Sequence, residues 1–164
     1  MRQIIFATGN EGKMKEIREI LEGTDFEAIS LKEAGINIEI EENGRTFEEN
    51  ALLKAEGIRN WCRKNGVPAR PELSADKVIV LADDSGLEVD ALNKEPGIYS
   101  ARYLGYDTSY REKNANIIAR LEGVSKEERT ARFVCAIAAA FPEGKSETVL
   151  GTIEGYIGWE ERGE

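Results

Sequence analysis

The stretch Val78–Arg102, VIVLADDSGLEVDALNKEPGIYSAR, constrains this chain more than any other. Val78 to Ala82 is a run of β-branched and aliphatic residues, which reads as a buried strand. It ends in two adjacent carboxylates, Asp83 and Asp84, followed by Ser85 and Gly86. Carboxylates at a strand tip sit on a rigid mount at the edge of a sheet. Like charges side by side repel unless a cation or a proton relieves them. The pair therefore reads as a place for a hard divalent metal. The plain alternative is an Asp-Asp-Ser-Gly turn that only ends a strand.

Bulk properties narrow the rest. A chain of 164 residues is long enough for one domain with its own core. It has no apolar run near the ~20 residues of a membrane helix and no signal-peptide pattern at its N-terminus. Its net charge of −9 argues against nucleic-acid binding, which needs a basic surface. A few lysines can still build a local pocket for a small phosphorylated ligand. Cys62 and Cys135 each lie in an apolar setting with no CxxC spacing, so both read as reduced core residues of a cytoplasmic protein. The chain has no histidine. That excludes Ser-His-Asp and Cys-His catalysis and imidazole-ligated zinc. Chemistry here must come from carboxylates, lysines, hydroxyls and a metal.

Ile4 to Thr8 predicts a first strand, and Met14, Ile17, Ile20 and Leu21 predict a helix to about Glu22. Between them lies the turn Gly9-Asn10-Glu11-Gly12. Strand, glycine turn and helix together present backbone N–H groups at a helix start, where anions bind. Thr8, Asn10 and Lys13 sit at that junction, although the spacing is not that of a Walker A loop. Plain capping is the alternative. Phe26 to Leu31 predicts a second strand. Ile36, Ile38 and Ile40 alternate with polar residues and predict another with one buried face. The acidic turn Glu41-Glu42-Asn43-Gly44 follows. Thr46 and Glu49 fit a capping box that opens a helix with Phe47, Ala51, Ala55, Ile58 and Trp61 or Cys62 inward. Asn50 and Lys54 are i and i+4 on one face and can reach a polyphosphate; a solvated face is the alternative. Asn65 to Lys77 reads as an exposed loop.

Downstream, Leu87 to Val89 predicts a short strand and Pro96-Gly97 a turn. Arg102 can clamp a phosphate or pair with a nearby carboxylate. Ser109 and Glu112 form another capping box, with Ile117, Ile118 and Leu121 inward and Gly123 as C-cap. Ala131 to Phe141 reads as a central strand buried on both faces, and Glu147 to Ile157 as its partner. No repeat or linker divides the chain, so residues 1–164 read as a single domain.

Five pieces then stand in order: ATGNEGK (Ala7 to Lys13), the acidic turn with TFEENALLKA (Glu41 to Ala55), LADDSGLEVDAL (Leu81 to Leu92), PGIYSARY (Pro96 to Tyr103) and ARFVCAI (Ala131 to Ile137). Together they resemble the Ham1/inosine triphosphate pyrophosphatase family over essentially the whole chain. The resemblance implies an α/β fold: an elongated mixed β-sheet flanked by helices, with two lobes and a central cleft. It implies hydrolysis of noncanonical purine nucleoside triphosphates (ITP, dITP, XTP) to monophosphate and pyrophosphate, with Mg²⁺, in a homodimer. By motif match, Glu41 and Asp84 resemble the metal ligands, with Glu42 and Asp83 as rivals because adjacent acids leave the register open. Asp84 resembles the general base. Lys13 and Lys54 would stabilise charge on the leaving pyrophosphate. The turn Thr8, Gly9, Asn10, Glu11 and Gly12, together with Lys13, Asn50, Ser85 and Arg102, would contact substrate.

Two features depart from the family. Its GFGYDP segment and later Ser-His-Arg, which in the family contribute to base recognition and the phosphate site, are not present, so the chain resembles a member lacking the C-terminal portion, with the metal and phosphate motifs complete. The Asn65–Lys77 loop is also longer. Two alternatives stand beside the enzyme reading: an inactive nucleotide-binding remnant, and a Maf-like pyrophosphatase of different base specificity, against which PGIYSAR argues.

Overall fold

The computed structural model describes residues 2–8, 10–104 and 109–160, apart from the side chains of residues 101 and 102. Strand β1 (Arg2–Ala7) is buried from Ile4 onward. Helix α1 (Glu11–Leu21) connects it to β2 (Phe26–Ser30), and the two strands pair in parallel. Parallel neighbours need such a crossover. A one-turn helix α2 (Leu31–Ala34), the long helix α3 (Phe47–Asn65) and strand β3 (Ile79–Val89) follow. Then come β4 (Glu95–Pro96), α4 (Tyr110–Arg120), β5 (Thr130–Ala140) and β6 (Ser146–Tyr156). The strand order is β2-β1-β3-β5-β6, with β4 paired to β3. β3 is parallel to β1 and antiparallel to β4, so the sheet is mixed. This is the mixed α/β class the sequence predicts. Among the described residues no helix is long and apolar enough to cross a membrane.

The helix starts follow their caps. Asn10, Thr46 and Ser109 each accept the backbone N–H three residues on, from Lys13, Glu49 and Glu112. Each such cap is worth about 1 kcal/mol. Ser30 and Glu33 make a complete capping box at α2, a helix that sequence periodicity is too short to reveal.

The chain forms two compact units. The first comprises the residues through Asp84 with Ala136–Val149. In its core Phe6, Met14 and Ala28 pack with Ile17, Leu21 and Leu81. Helix α3 lays Phe47, Asn50, Ala51, Ala55, Ile58, Arg59 and Cys62 inward. Arg59 is buried and reaches the Phe141 carbonyl (3.5 Å), the Lys145 carbonyl (3.4 Å) and Ser146 Oγ (3.2 Å), while Arg63 donates to the Pro142 carbonyl. These bonds tie the end of α3 to the β5–β6 turn. The second unit comprises Ser85–Cys135 and the segment from Leu150 onward. Its core joins Val89, Leu92, Ile117, Leu121 and Ala131 with Leu87, Tyr103, Val124 and Ile157. Buried Arg129 donates to the Leu121, Val124 and Gly158 carbonyls, and Trp159 stacks on its guanidinium.

Several expectations are corrected. Ile36–Ile40 keeps the expected alternation, with Ile36 buried and Asn37 and Glu39 exposed, but joins no strand. One face of it packs on α3: a Cβ on Gly57 would meet Ile40 at 2.7 Å. The expected break after Asp84 is absent, because β3 runs unbroken from Ile79 to Val89 and absorbs the predicted Leu87–Val89 strand. β5 buries only alternate residues: Val134, Ala136, Ala138 and Ala140 face inward, while Phe133 and Cys135 are exposed. Only Cys62 is a core cysteine, and burial raises its thiol pKa to about 11. Ile20 is 72% exposed, outside the α1 stripe. In β6 every residue from Glu147 to Tyr156 is exposed.

Candidate active site

The first unit gathers most of the expected site. β1 ends at Ala7, and the chain turns through Thr8 and Asn10 into α1; Gly9 lies outside the described residues. Thr8 Oγ1 accepts the Asn10 N–H at 3.1 Å, and Asn10 Oδ1 accepts the Lys13 N–H at 3.1 Å. Thr8 and Asn10 therefore shape the turn through their oxygens. Glu11 and Gly12 open the helix, where backbone N–H groups lack intrahelical acceptors.

Lys13 Nζ pairs with Asp83 Oδ2. A pleated strand turns adjacent side chains to opposite faces. Asp83, 4% exposed, accordingly meets Lys13, while Asp84 meets Asn50, Lys54 and Glu42. The two aspartates do not share one ligand position. Lys54 Nζ donates to the Asp83 carbonyl oxygen at 3.0 Å and lies 3.0 Å from Glu42 Oε1. The Lys54–Glu42 contact is an ion pair without the alignment of a hydrogen bond.

Two carboxylate oxygens, Glu42 Oε1 and Asp84 Oδ2, are buried and make no hydrogen bond. A buried carboxylate oxygen without a hydrogen bond is costly, and the Lys54 charge beside Glu42 Oε1 offsets that cost only in part. Burial, followed by the nearby Glu42 charge, raises the Asp84 pKa to about 6, against the opposing Asn50 hydrogen bond and Lys54 charge. A divalent cation would relieve both oxygens, so these residues fit one. Mg²⁺ is commonly held by one or two carboxylates, with phosphate oxygens and water completing its shell. A pair of protein ligands is then sufficient, and the described residues contain no group of three or more candidate ligands.

Glu41, the first-choice partner of Asp84 by resemblance, is exposed; its neighbour Glu42 carries the buried oxygen. In an irregular segment with two successive glutamates, no periodicity tells which one turns inward. Asn50 is 1% exposed, too deep for a loose surface contact: its Oδ1 accepts the Gly44 N–H at 2.8 Å. Gly44 is the residue sequence reading treats only as a turn end. A Cβ there would lie 2.7 Å from Glu49 Cβ and 2.8 Å from Asn50 Oδ1, so the loop needs glycine to reach Asn50. Ser85 and Arg102 belong to the second unit. Ser85 is half-buried in β3, and Arg102 ends the 3₁₀ helix Gly97–Arg102 with its side chain outside the described residues.

The chemistry these residues can perform is anchored in two carboxylates, two ammonium groups and a helix N-terminus. That is a set for a metal-bound polyphosphate. Comparison with known proteins points the same way. The sequence model of the Ham1 family matches residues 4–164. The chain is 44% identical over 164 residues to the "dITP/XTP pyrophosphatase" of Bacillus subtilis, covering 100% of this chain and 76% of that protein. It is 46% identical over 157 residues to the protein of the same name from Geobacter sulfurreducens, covering 96% and 72%. Among solved structures, the Staphylococcus aureus Ham1 protein superposes with a TM-score of 0.81 at 36% identity, covering 99% of this chain and 76% of that one. A HAM1 protein from Coxiella burnetii gives 0.81 at 33% identity, covering 99% and 76%.

Proposed function

Because the chain belongs to the Ham1 family, we propose that it hydrolyses noncanonical purine nucleoside triphosphates, ITP, dITP and XTP, to the monophosphate and pyrophosphate. The names of its relatives support this substrate class. The observation that carries the chemistry is the pair of buried, unbonded oxygens, Glu42 Oε1 and Asp84 Oδ2, beside Lys54.

In this reading Glu42 and Asp84 hold Mg²⁺, with Glu42 in place of Glu41. When bound, the metal supplies Lewis-acid charge that neutralises the triphosphate. Asp84 takes the proton of the attacking water; without metal its pKa is raised to about 6, and a bound cation would lower it. Lys54 is held by the Asp83 carbonyl, so its charge is already in place when negative charge develops on the leaving pyrophosphate. Lys13 and the start of α1 hold phosphate oxygens, with Asp83 keeping Lys13 at that end. Ser85 and Arg102 are further candidates for substrate contact. A cytoplasmic setting and a homodimer belong to the same proposal.

The test is pyrophosphate release by the 164-residue chain from ITP, XTP, ATP and GTP, with and without Mg²⁺. Metal-dependent release from ITP and XTP well above ATP and GTP is expected. Equal rates on all four overturn the purine selectivity. No release from any overturns the activity.

A further inference from the structure

The acidic loop has few ties. Between Ile36 and Arg45 the chain joins no strand or helix, so no ladder fixes where Glu42 stands. Its backbone is held to α3 by two bonds: Gly44 N–H to Asn50 Oδ1 at 2.8 Å and Arg45 N–H to Glu49 Oε2 at 2.7 Å. Only the first is buried; Asn50 is 1% exposed and Glu49 is on the surface. The buried amide oxygen of Asn50 is thus the inner tie of the loop that carries Glu42.

We propose that Asn50 is a positioning residue, which sets where the Glu42 carboxylate stands relative to Asp84 by gripping the Gly44 N–H with Oδ1. Gly44 is its required counterpart, because any Cβ would displace the loop from the amide. The inference rests on the proposed metal role of those carboxylates. It differs from the sequence expectation, in which Asn50 contacts substrate.

The experiment is Mn²⁺ binding to the full chain without nucleotide, read by the EPR signal of free Mn²⁺, for the unaltered protein, Asn50→Ala and Gly44→Ala. Circular dichroism and thermal melting report folding. Outer partners of metal ligands typically contribute 10–100-fold in affinity, so both variants are expected to bind Mn²⁺ about 10–100-fold more weakly. At saturating Mg²⁺ the KM for ITP should change by less than about threefold, as expected when uniform substrate binding is untouched. Gly44→Ala alters no side chain able to touch metal or phosphate, and it decides the matter where Asn50→Ala fails to fold. Mn²⁺ affinity unchanged in either folded variant overturns the inference, as does a raised KM for ITP in Asn50→Ala with normal metal binding. Lack of Mn²⁺ binding by the unaltered chain overturns it too. Because Mn²⁺ is read without turnover, an inactive chain that binds Mn²⁺ and loses it on Gly44→Ala sinks the proposed activity and leaves this inference standing.

Discussion

Lys54 donates from Nζ to the backbone carbonyl of Asp83 at 3.0 Å, so a lysine of α3 is anchored to the main chain of β3 as well as paired with the Glu42 carboxylate. Its charge therefore stays beside Asp84 whatever the protonation state of the neighbouring carboxylates. Lys54→Met keeps the length of the stem and removes the charge. Turnover of ITP at saturating Mg²⁺ is expected to fall about 10²–10³-fold, the usual loss for one preorganised donor. Steady-state kinetics check it, and a loss below about threefold would remove Lys54 from the reaction.

Asp84→Asn separates chemistry from stability. It should abolish metal-dependent turnover with the fold retained. The raised pKa fixes the sign of the stability effect. The folded state binds the Asp84 proton more tightly than the unfolded chain, so this group lowers stability progressively as pH rises from about 4 toward about 6. Above that window the full cost is present, and below the unfolded pKa it vanishes. Without metal, Asp84→Asn should therefore be more stable than the unaltered chain at pH 7 and equal to it near pH 3. Urea denaturation at the two pH values reads the difference, and an unaltered chain that is the more stable at pH 7 contradicts the burial cost.

The glutamate register can be tested by charge-neutral isosteres. Glu42→Gln should raise the Mg²⁺ concentration for half-maximal activity about tenfold or more, whereas Glu41→Gln, at an exposed position, should shift it by less than about twofold. The reverse ranking would restore Glu41 as the ligand.

Metal binding should be linked to protons. At pH values near or below about 6 Asp84 is partly protonated, so binding must release a proton and affinity must climb with pH through that region. Calorimetry in buffers of different ionisation enthalpy measures the release. A pH-independent affinity between about 5 and 7 would show that Asp84 is not displaced from the usual range or not a ligand.

Arg59→Ala probes scaffold rather than chemistry. It removes guanidinium bonds to the Phe141 and Lys145 carbonyls, which keep backbone donors from Gly144 and Phe141, and should cost about 1–3 kcal/mol in urea denaturation, the usual worth of bonds from a charged donor. KM for ITP should be unchanged. A stability loss within error would mean water replaces the guanidinium.

Helices were the legible part of this fold, because capping is local: Thr46 with Glu49 and Ser109 with Glu112 mark α3 and α4 to the residue. Strands were less so. Alternation at Ile36–Ile40 reports one buried face but not whether a neighbour offers a ladder, and here the face packs on Gly57 of α3. In β5 an apolar run looks buried on both sides, yet Phe133 is 63% exposed. At the candidate site, the ordered motifs pointed to Lys13, Lys54 and Asp84, which lie in one compact unit. They could not sort Asp83 from Asp84 without knowing that β3 continues through the pair and that its pleat sends each to a different helix. Gly44 carried no signal beyond turn chemistry, since its role is set by a neighbour six residues away in the chain.

Strand β6 ends the sheet order with all residues from Glu147 to Tyr156 exposed, among them Val149, Leu150, Ile153 and Tyr156. Such a strand offers a free row of backbone N–H and C=O groups together with apolar side chains, which is the template for chain-to-chain association. A net charge of −9 opposes that association. The repulsion reaches only about 8 Å at physiological ionic strength and shrinks as salt rises. Added salt is therefore expected to favour contact between copies along β6.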